Sequence, residues 1–434
     1  MFYGIISFLK SLILWGSVAS FIYLIVVYIQ GRDIIQSLPA LYPALMFLLF
    51  ERIYYYSRYW KYIILPYSLN LHNNFKDDRA KRDLFLDRFV AIRKISSKKV
   101  LERVLCKDLD RFELEYKNFI AIDIDNYKQH TEQILHFLGL IDKRYEVKVY
   151  HKKNKNIVLS FYKLPEAYEV DRSPFKPNEL FLGMNEKGLF YRDLETIDHH
   201  LIVGSSGSGK SNFMQQLNIN FLFNLCNIKN MYMVDLKGGV ELKRFEKLNK
   251  VEFVSDIHKL NELLDDVIED LKATQEEMLR TNTRKIKELT LLIFDEVGAI
   301  STYPDKKLRE EIFNKLSLIA MQGRSSSIFL FLFAQKMDTS VLPNSITNNI
   351  NSRVLLNTSS DYNINLIDLK DNIRENITWV EVQDFNKGRA IYKNGITSEK
   401  SLVQFPFIDD MFLNSIISLD MENISSDLLR CKAL

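Results

Sequence analysis

From about residue 180 onward, short apolar runs alternate with stretches in which apolar residues recur at helical spacing. Four of the runs have the composition of buried strands: residues 201–203, 230–234, 291–294 and 328–333. One helical stretch, with Ser255 as its predicted cap, carries its apolar residues on one face: Leu260, Leu263, Leu264, Val267, Ile268 and Leu271. Strands and helices in alternation are typical of a parallel sheet covered by helices on both faces. The pattern therefore predicts an α/β domain over residues 166–410.

A smaller pattern precedes this domain and predicts an α/β subdomain over residues 108–165. Its predicted elements are strands at residues 112–116 and 119–124, a helix at 127–138 and a hairpin at 145–150 and 156–162. Three prolines, Pro165, Pro174 and Pro177, indicate a linker to the main domain. Residues 66–107 are charged and predict a helical connector, and residues 411–434 a carboxyl-terminal tail.

The amino-terminal end is apolar enough to enter a membrane. Residues 5–29 would form a helix of about 37 Å and residues 34–50 one of about 25 Å, against a hydrocarbon core of roughly 30 Å. Aromatic and basic residues then interleave, as they do at a headgroup interface: Tyr54, Tyr55, Tyr56, Tyr59 and Trp60 with Arg52, Arg58 and Lys61. These features predict a transmembrane helical hairpin with an interface segment at residues 1–65. Two alternatives stay open, a cleaved signal peptide for the first run and a buried or re-entrant helix for the second.

The charge distribution supports an orientation for this hairpin. Between residues 51 and 100 there are twelve Lys and Arg residues against five Asp and Glu residues, an excess typical of the cytoplasmic side. The net charge of the whole chain is only +3, so overall charge does not itself indicate nucleic acid. We therefore expect a multi-pass protein of the cell membrane, with its carboxyl-terminal domain in the cytoplasm.

One segment of the main domain carries a specific chemical signature. It fits G-x-x-x-x-G-K-[ST] without a mismatch: Gly204, Ser205, Ser206, Gly207, Ser208, Gly209, Lys210 and Ser211. The segment follows a predicted strand and precedes a helix predicted from Asn212, which is the context in which this motif binds phosphates. Its glycines let backbone N–H groups converge on the phosphates. We predict that the segment binds ATP, with Lys210 on the β- and γ-phosphates and Ser211 on Mg²⁺.

Two strand ends downstream carry the residues that hydrolysis needs. Asp295 and Glu296 follow the apolar run 291–294, where Asp295 is predicted to share the Mg²⁺ with Ser211 and Glu296 to act as general base. Gln335 follows the next strand and is predicted to contact the γ-phosphate, the alternative being an ordinary polar residue at a strand end. Arg324 and Arg353 are candidates for an arginine finger that reaches a neighbouring subunit. The alternative for each arginine is a solvated surface position.

With these residues in place, the chain resembles the FtsK/SpoIIIE branch of the HerA–FtsK translocases from about residue 112 to residue 390. The resemblance rests on the loop with the residues around it, on residues 234–237, on residues 322–335 and on residues 350–354. Leu236 stands where the family has proline, and Lys336 where it has arginine. The resemblance implies a RecA-like P-loop motor that assembles as a homo-oligomer, a hexamer, with ATP between subunits. It favours Arg353 over Arg324 as the finger, and it implies sequence-independent contacts to the DNA backbone.

The layout of the chain is similar to that of TcpA-like coupling proteins of conjugative plasmids and integrative elements. Only 42 residues follow Tyr392, too few for a winged-helix domain with its linker. This similarity implies a membrane-anchored, ATP-driven translocase of double-stranded DNA, with relaxosome or transfer-channel proteins as partners. The alternatives are a chromosome-partitioning pump and a protein-export motor. Two questions stay open: whether the substrate is single- or double-stranded DNA, and in which direction the motor moves.

Overall fold

A computed structural model of the chain describes residues 22–23, 25–26, 29–30, 111–116, 124–152, 156–238, 241–282, 288–337, 341–367, 377–378 and 380–418. In the part from residue 111 onward, the chain divides into two compact units. The smaller unit includes residues 111–116, 124–126, 133–143, 150–152 and 156–158, and the larger one the remaining described residues. All the site residues predicted above lie in the larger unit.

A small sheet of three strands, together with two short helices, lies in the region predicted as the α/β subdomain. Its elements are β1 (Arg111–Tyr116), α1 (Asp125–Lys128), α2 (Thr131–Leu138), β2 (Glu146–His151) and β3 (Ile157–Tyr162). The strand order is β1-β3-β2, so the two strands of the predicted hairpin are neighbours. The helix predicted at 127–138 is interrupted by a turn, and the strand predicted at 119–124 lies outside the described residues except for Ile124, which is in a turn.

Ten strands form the sheet of the larger unit, in the order β5-β4-β13-β12-β11-β6-β10-β9-β7-β8. They are β4 (Glu179–Asn185), β5 (Gly188–Asp193), β6 (His200–Val203), β7 (Ile228–Asp235), β8 (Val251–Val254), β9 (Leu289–Asp295), β10 (Ile328–Ala334), β11 (Ser352–Leu356), β12 (Arg389–Lys393) and β13 (Lys400–Gln404). All four runs predicted as buried strands are strands of this sheet. In this order, each strand on the side of the sheet from β11 through β6 to β8 pairs in parallel with its neighbour. On the other side, from β11 through β12 to β5, neighbouring strands pair antiparallel.

The sheet is therefore mixed, and the prediction of a parallel sheet was wrong for one side of it. The reason is the length of the connections. Only residues 186–187 separate β4 from β5, and only residues 394–399 separate β12 from β13. A parallel connection needs a dozen or more residues, so these pairs form antiparallel hairpins.

Helices cover both faces of the sheet, as the alternating pattern predicted. They are α3 (Lys210–Leu222), α4 (Ile257–Thr281), α5 (Gly298–Ser301), α6 (Lys306–Gln322), α7 (Asn344–Thr347) and α8 (Asp361–Leu366), and residues 410–418 are also helical. The apolar faces of α4 and α6 belong to one buried cluster, and that of α3 to the other. Strand β9 supplies Leu292 and Phe294 to the first cluster and Leu291 and Ile293 to the second, as the period of two in a strand requires.

The amino-terminal cap of α4 differs from the prediction. Asp256, not Ser255, caps the helix, because its Oδ1 accepts hydrogen bonds from the backbone nitrogens of His258 at 2.9 Å and Lys259 at 3.0 Å. The helix begins one residue later than expected, and a charged acceptor stands next to the positive end of the helix dipole. The apolar face predicted from Leu260 to Leu271 is buried in full.

A buried polar network links β5, β6, β11 and β12 at the edge where the parallel strands begin. The Arg192 guanidinium donates to Asp198 Oδ1 at 3.0 Å and to the Tyr392 hydroxyl at 2.5 Å. Ser352 accepts from Arg192 at 3.0 Å and donates to Asp198 Oδ2 at 2.7 Å. Burial lowers the pKa of His200 to about 4, so its ring is neutral beside the Tyr392 hydroxyl. All five residues are buried, so the network joins these four strands in the interior of the fold.

The predicted transmembrane hairpin lies almost wholly outside the described residues. Five positions between Ile22 and Ile29 are helical and exposed. Among the residues that the structure describes, none belongs to a helix with the length and hydropathy of a bilayer span. The hairpin at 1–65 stays a prediction. The connector at 66–107 also lies outside the described residues, as does the tail beyond residue 418.

Candidate nucleotide-binding site

The loop of residues 204–211 leaves the sheet at the carboxyl end of β6. Its first residues are fixed on both sides, because Gly204 N donates to Ala334 O at 3.3 Å and Ser205 N donates to Asn357 O at 2.8 Å. The first acceptor is the last residue of β10 and the second follows β11. The loop is therefore held between the two strands that flank β6.

Two glycines give the loop its shape. Gly207 and Gly209 have φ angles of 78° and 109°, in the left-handed region that glycine adopts without steric cost. A Cβ on Gly209 would lie 2.9 Å from the backbone nitrogen of Gly388, so no side chain fits there. Helix α3 begins at Lys210, two residues before the predicted start at Asn212. The loop thus turns directly into a helix whose first N–H groups have no partner within the helix.

Lys210 folds over the loop, and its ammonium donates to Gly204 O at 2.5 Å and Ser205 O at 2.9 Å. Burial lowers the pKa of Lys210, while the nearby carboxylates of Glu296 and Asp295 oppose that change. The lysine and both predicted carboxylates therefore share one electrostatic environment. Within the described residues, the buried hydroxyl of Ser208 has no hydrogen-bond partner, so the loop offers a free polar group as well as its cation. A phosphate chain fits such a loop.

Asp295 ends β9 directly opposite Asp235, the last residue of β7. Burial raises the pKa of Asp295 to about 6, and the negative charges of Asp235, Glu241 and Glu296 add to the effect. This excess of negative charge is what a divalent cation would neutralise. In the described part of the chain no group of three or more metal-binding side chains occurs. One or two carboxylates with substrate phosphates are the usual protein site for Mg²⁺, so Asp295 and Ser211 fit that ion.

Glu296 has an unusual backbone conformation, with φ at +64°. A residue other than glycine in this region costs about 1–3 kcal/mol and is typical of functional sites. The carboxylate is buried, and it accepts a hydrogen bond from the backbone nitrogen of Gln335 at 3.3 Å. Its other oxygen lies 3.4 Å from the ammonium of Lys237, which is about half exposed. The strained turn at the end of β9 therefore directs this carboxylate into the site.

A cavity of about 530 Å³ opens beside Glu296 at the carboxyl edge of the strands. Its polar lining includes Lys237, Glu296, Gln335 and Lys336, which follow the ends of three strands. Ligands of open α/β sheets bind outside the carboxyl ends of the strands, and the loop, the carboxylates and this cavity all lie there.

The geometry agrees with a comparison to known families, in which residues 164–353 match the FtsK/SpoIIIE family. This chain contains an FtsK/SpoIIIE-type P-loop ATPase domain. The matched residues include the loop, both carboxylates and Gln335, so the site described above belongs to the FtsK/SpoIIIE-type domain.

Individual relatives of the FtsK/SpoIIIE-type domain are distant. The FtsK domain-containing protein YdcQ of Bacillus subtilis is 26% identical over 180 residues, which are 38% of this chain and 36% of YdcQ. The DNA translocase FtsK of Staphylococcus aureus is 22% identical over 251 residues, 53% of this chain and 30% of that protein. The chain thus matches about a third of the length of each of these relatives.

Among solved structures, the pCW3 conjugation coupling protein TcpA, in its monomer form with ATPγS, has a similar fold. The TM-score is 0.52 at 19% identity, and the match covers 71% of this chain and 90% of TcpA. EssC (ATPases 2 and 3) from Geobacillus thermodenitrificans has a TM-score of 0.50 at 16% identity, with 62% of this chain and 52% of EssC covered. At these identities the likeness concerns the fold alone.

Gln335 lies in the FtsK/SpoIIIE-type domain where the sequence predicts it, directly after β10. Its side chain is exposed and lines the cavity beside Glu296. Its backbone donates to Glu296 and accepts a hydrogen bond from Asn363 Nδ2 at 3.3 Å. The main chain at Gln335 thus connects the glutamate to α8, while the predicted contact of its side chain with the γ-phosphate stays a prediction.

Arg353 lies on β11, and its guanidinium donates to three carbonyl oxygens of its own chain. They belong to Ile350 at 2.9 Å, Thr347 at 2.9 Å and Leu366. A finger role would require these bonds to break, so the observed geometry gives Arg353 a structural role within the subunit. Arg324 is exposed in the turn before β10. The choice between the two arginines as the finger stays a prediction, and their exposure now favours Arg324.

Three residues of the site carry no predicted role from the sequence: Asp235, Lys237 and Asn363. Asp235 ends an apolar strand as Asp295 does, and Lys237 follows two residues later, which is the signal that could have identified them. Asn363 gives no such signal, because its contacts with Met337 N at 3.0 Å and Gln335 O depend on the tertiary fold.

Proposed function

We propose that this protein is a membrane-anchored motor that couples ATP hydrolysis to the movement of double-stranded DNA. The observation that carries the proposal is the convergence of Lys210, Asp295 and Glu296 at one edge of an FtsK/SpoIIIE-type sheet. A lysine in a phosphate loop with a general base nearby is the arrangement that nucleotide hydrolysis needs, and relatives of this domain include proteins named as DNA translocases.

In the proposed reaction, residues 204–211 bind the phosphates of ATP, and Lys210 moves from the loop carbonyls to the β- and γ-phosphates. Ser211 and Asp295 would hold the Mg²⁺, which would neutralise part of the negative charge on the phosphates. Glu296 accepts the proton of the attacking water through the carboxylate that Gln335 N and Lys237 orient. Hydrolysis changes the contacts of this glutamate and thereby the position of the strand end at Gln335.

We further propose that the motor serves conjugative transfer of a plasmid or integrative element. Support comes from the layout predicted for the amino terminus and from the likeness in fold to a conjugation coupling protein over most of both chains. The proposal includes a homo-hexameric ring at the cell membrane, with the ATPase domain in the cytoplasm and with relaxosome or transfer-channel proteins as partners. A chromosome-partitioning pump would share the chemistry and differ in the phenotype of a gene deletion.

The test is ATP hydrolysis by the full-length chain in detergent or nanodiscs, with and without double-stranded DNA. We expect DNA to stimulate hydrolysis several-fold, and the stimulation to fall as salt rises, because phosphate contacts release counterions. Lys210→Ala is the control and should abolish hydrolysis in both conditions. Hydrolysis that does not respond to DNA would contradict a DNA substrate and favour the protein-export alternative.

A further inference from the structure

The arrangement of strands determines on which side of the loop the base of a bound nucleotide lies. The loop follows β6, and Glu296 lies on the side of β10 and β9. Lys210 and Glu296 mark the end of the site where the γ-phosphate is cleaved. Because a nucleoside triphosphate is an extended molecule, its base lies on the opposite side of the loop, toward β11, β12 and β13.

The chain before and after β12 and β13 closes this opposite side. Gly388 N donates to Ser208 O at 2.9 Å, so the residue that precedes β12 contacts the loop itself. Asn212, the residue after Ser211, donates to Pro406 O at 2.5 Å and accepts from Ile408 N at 2.9 Å. The segment after β13 is therefore fixed to the first turn of α3, directly next to the phosphate loop.

Phe407 lies between the two residues that Asn212 holds. The residues around it, 401–406 and 408, are all buried, whereas Phe407 is 46% exposed. Its backbone nitrogen donates to Tyr168 O at 2.7 Å, so its main chain is fixed on both sides. The fixed main chain leaves the aromatic side chain open to solvent, and a bound planar group would cover the apolar area that it exposes.

We propose that Phe407 is the platform on which the base of the bound nucleotide stacks. The ligand class is a nucleoside triphosphate, and stacking alone accepts any base because every base has a π-face. The inference rests on the proposed ATPase function and adds the residue that holds the nucleoside end of the substrate. It requires Phe407 to contribute to the affinity for ATP and to contribute nothing to the affinity for phosphates alone.

The experiment compares binding of ATP and of inorganic tripolyphosphate, both with Mg²⁺, by calorimetry on the full-length chain. We expect Phe407→Ala to weaken ATP binding roughly tenfold, as loss of one base–aromatic stack does, and to leave tripolyphosphate binding unchanged. Phe407→Trp should retain ATP affinity. The matched control is Ile396→Ala, because Ile396 is 47% exposed in the turn between β12 and β13, at the other edge of the sheet.

Two results would overturn the inference. One is an ATP affinity of Phe407→Ala within twofold of the wild type, and the other is an equal loss for ATP and tripolyphosphate, which would indicate a distorted loop. Failure of the proposed nucleotide binding is distinct, because the wild-type chain would then bind neither compound, and failure of DNA translocation appears only in the hydrolysis assay with DNA. Thermal unfolding of each variant confirms that the fold is retained.

Discussion

Asp295 is predicted to destabilise the protein in the absence of nucleotide. Burial and neighbouring carboxylates raise its pKa from 3.8 to about 6. Each pKa unit of this shift corresponds to roughly 1.4 kcal/mol of free energy. The full cost of the charge is thus about 3 kcal/mol, and since the carboxylate is partly exposed, solvent screening reduces it to about 1–2 kcal/mol. Asp295→Asn removes this charge and should stabilise the nucleotide-free protein by that amount.

The effect should depend on pH with a definite sign. Between the unfolded pKa of 3.8 and the folded pKa of about 6, the folded state binds the extra proton, so this group adds stability as the pH falls. The cost of the charge is present in full above the folded pKa and is absent below the unfolded one. The advantage of Asp295→Asn should therefore be largest above about pH 7.5 and vanish below about pH 3.8.

The assay is thermal unfolding of the full-length wild type and variants without nucleotide, across this pH range. We expect Asp295→Asn to raise the unfolding temperature by about 2–5 °C near neutral pH and to lose Mg²⁺-dependent ATP binding. Asp266→Asn is the control, since it removes the same charge from an exposed position on α4 and should change little. A variant that is less stable than the wild type near neutral pH would refute the reasoning.

Three further predictions concern other parts of the domain. Glu296→Gln should retain ATP binding in calorimetry while steady-state hydrolysis falls about 10²–10⁴-fold, because the general base is lost; hydrolysis near the wild-type rate would contradict its role. Gly388→Ala should destabilise the fold by about 1–3 kcal/mol in urea unfolding. Residue 388 has a φ of +80°, and a Cβ there would lie 3.0 Å from the side-chain nitrogen of Gln404. Gly188→Ala, at φ +104° with nothing within 4 Å, should cost less. Asp198→Ala should cost about 3–5 kcal/mol by leaving a buried arginine unpaired, whereas Asp410→Ala, in an exposed ion pair, should cost about 1 kcal/mol or less.

The sequence predicted four strands of the central sheet and the phosphate loop because both depend on local signals. Apolar runs mark β6, β7, β9 and β10, and a complete motif marks residues 204–211. The antiparallel side was not predicted, because short connections such as residues 186–187 show their effect only once the flanking strands are known. The start of α4 was misplaced by one residue because Ser255 and Asp256 are adjacent and both can cap a helix.

The role of individual polar residues was harder to predict than the fold. Asp295 and Glu296 follow an apolar strand, and that position identified them. The family resemblance predicts Arg353 as the arginine finger, yet its guanidinium donates to the carbonyl oxygens of Ile350, Thr347 and Leu366. Such contacts arise from residues that meet only in the folded chain. Spacing along the sequence therefore indicates where an arginine lies, and the fold decides whether it can reach another subunit.

Movement of DNA by the intact protein is the most direct test of the central claim that this site drives translocation. In a triplex-displacement assay, the full-length chain is mixed with double-stranded DNA that carries a third, triplex-forming strand. We predict that the wild type displaces this strand only when ATP and Mg²⁺ are present, and that Glu296→Gln does not displace it. Displacement by Glu296→Gln at the wild-type rate, or none by a wild-type chain that hydrolyses ATP, would contradict the account.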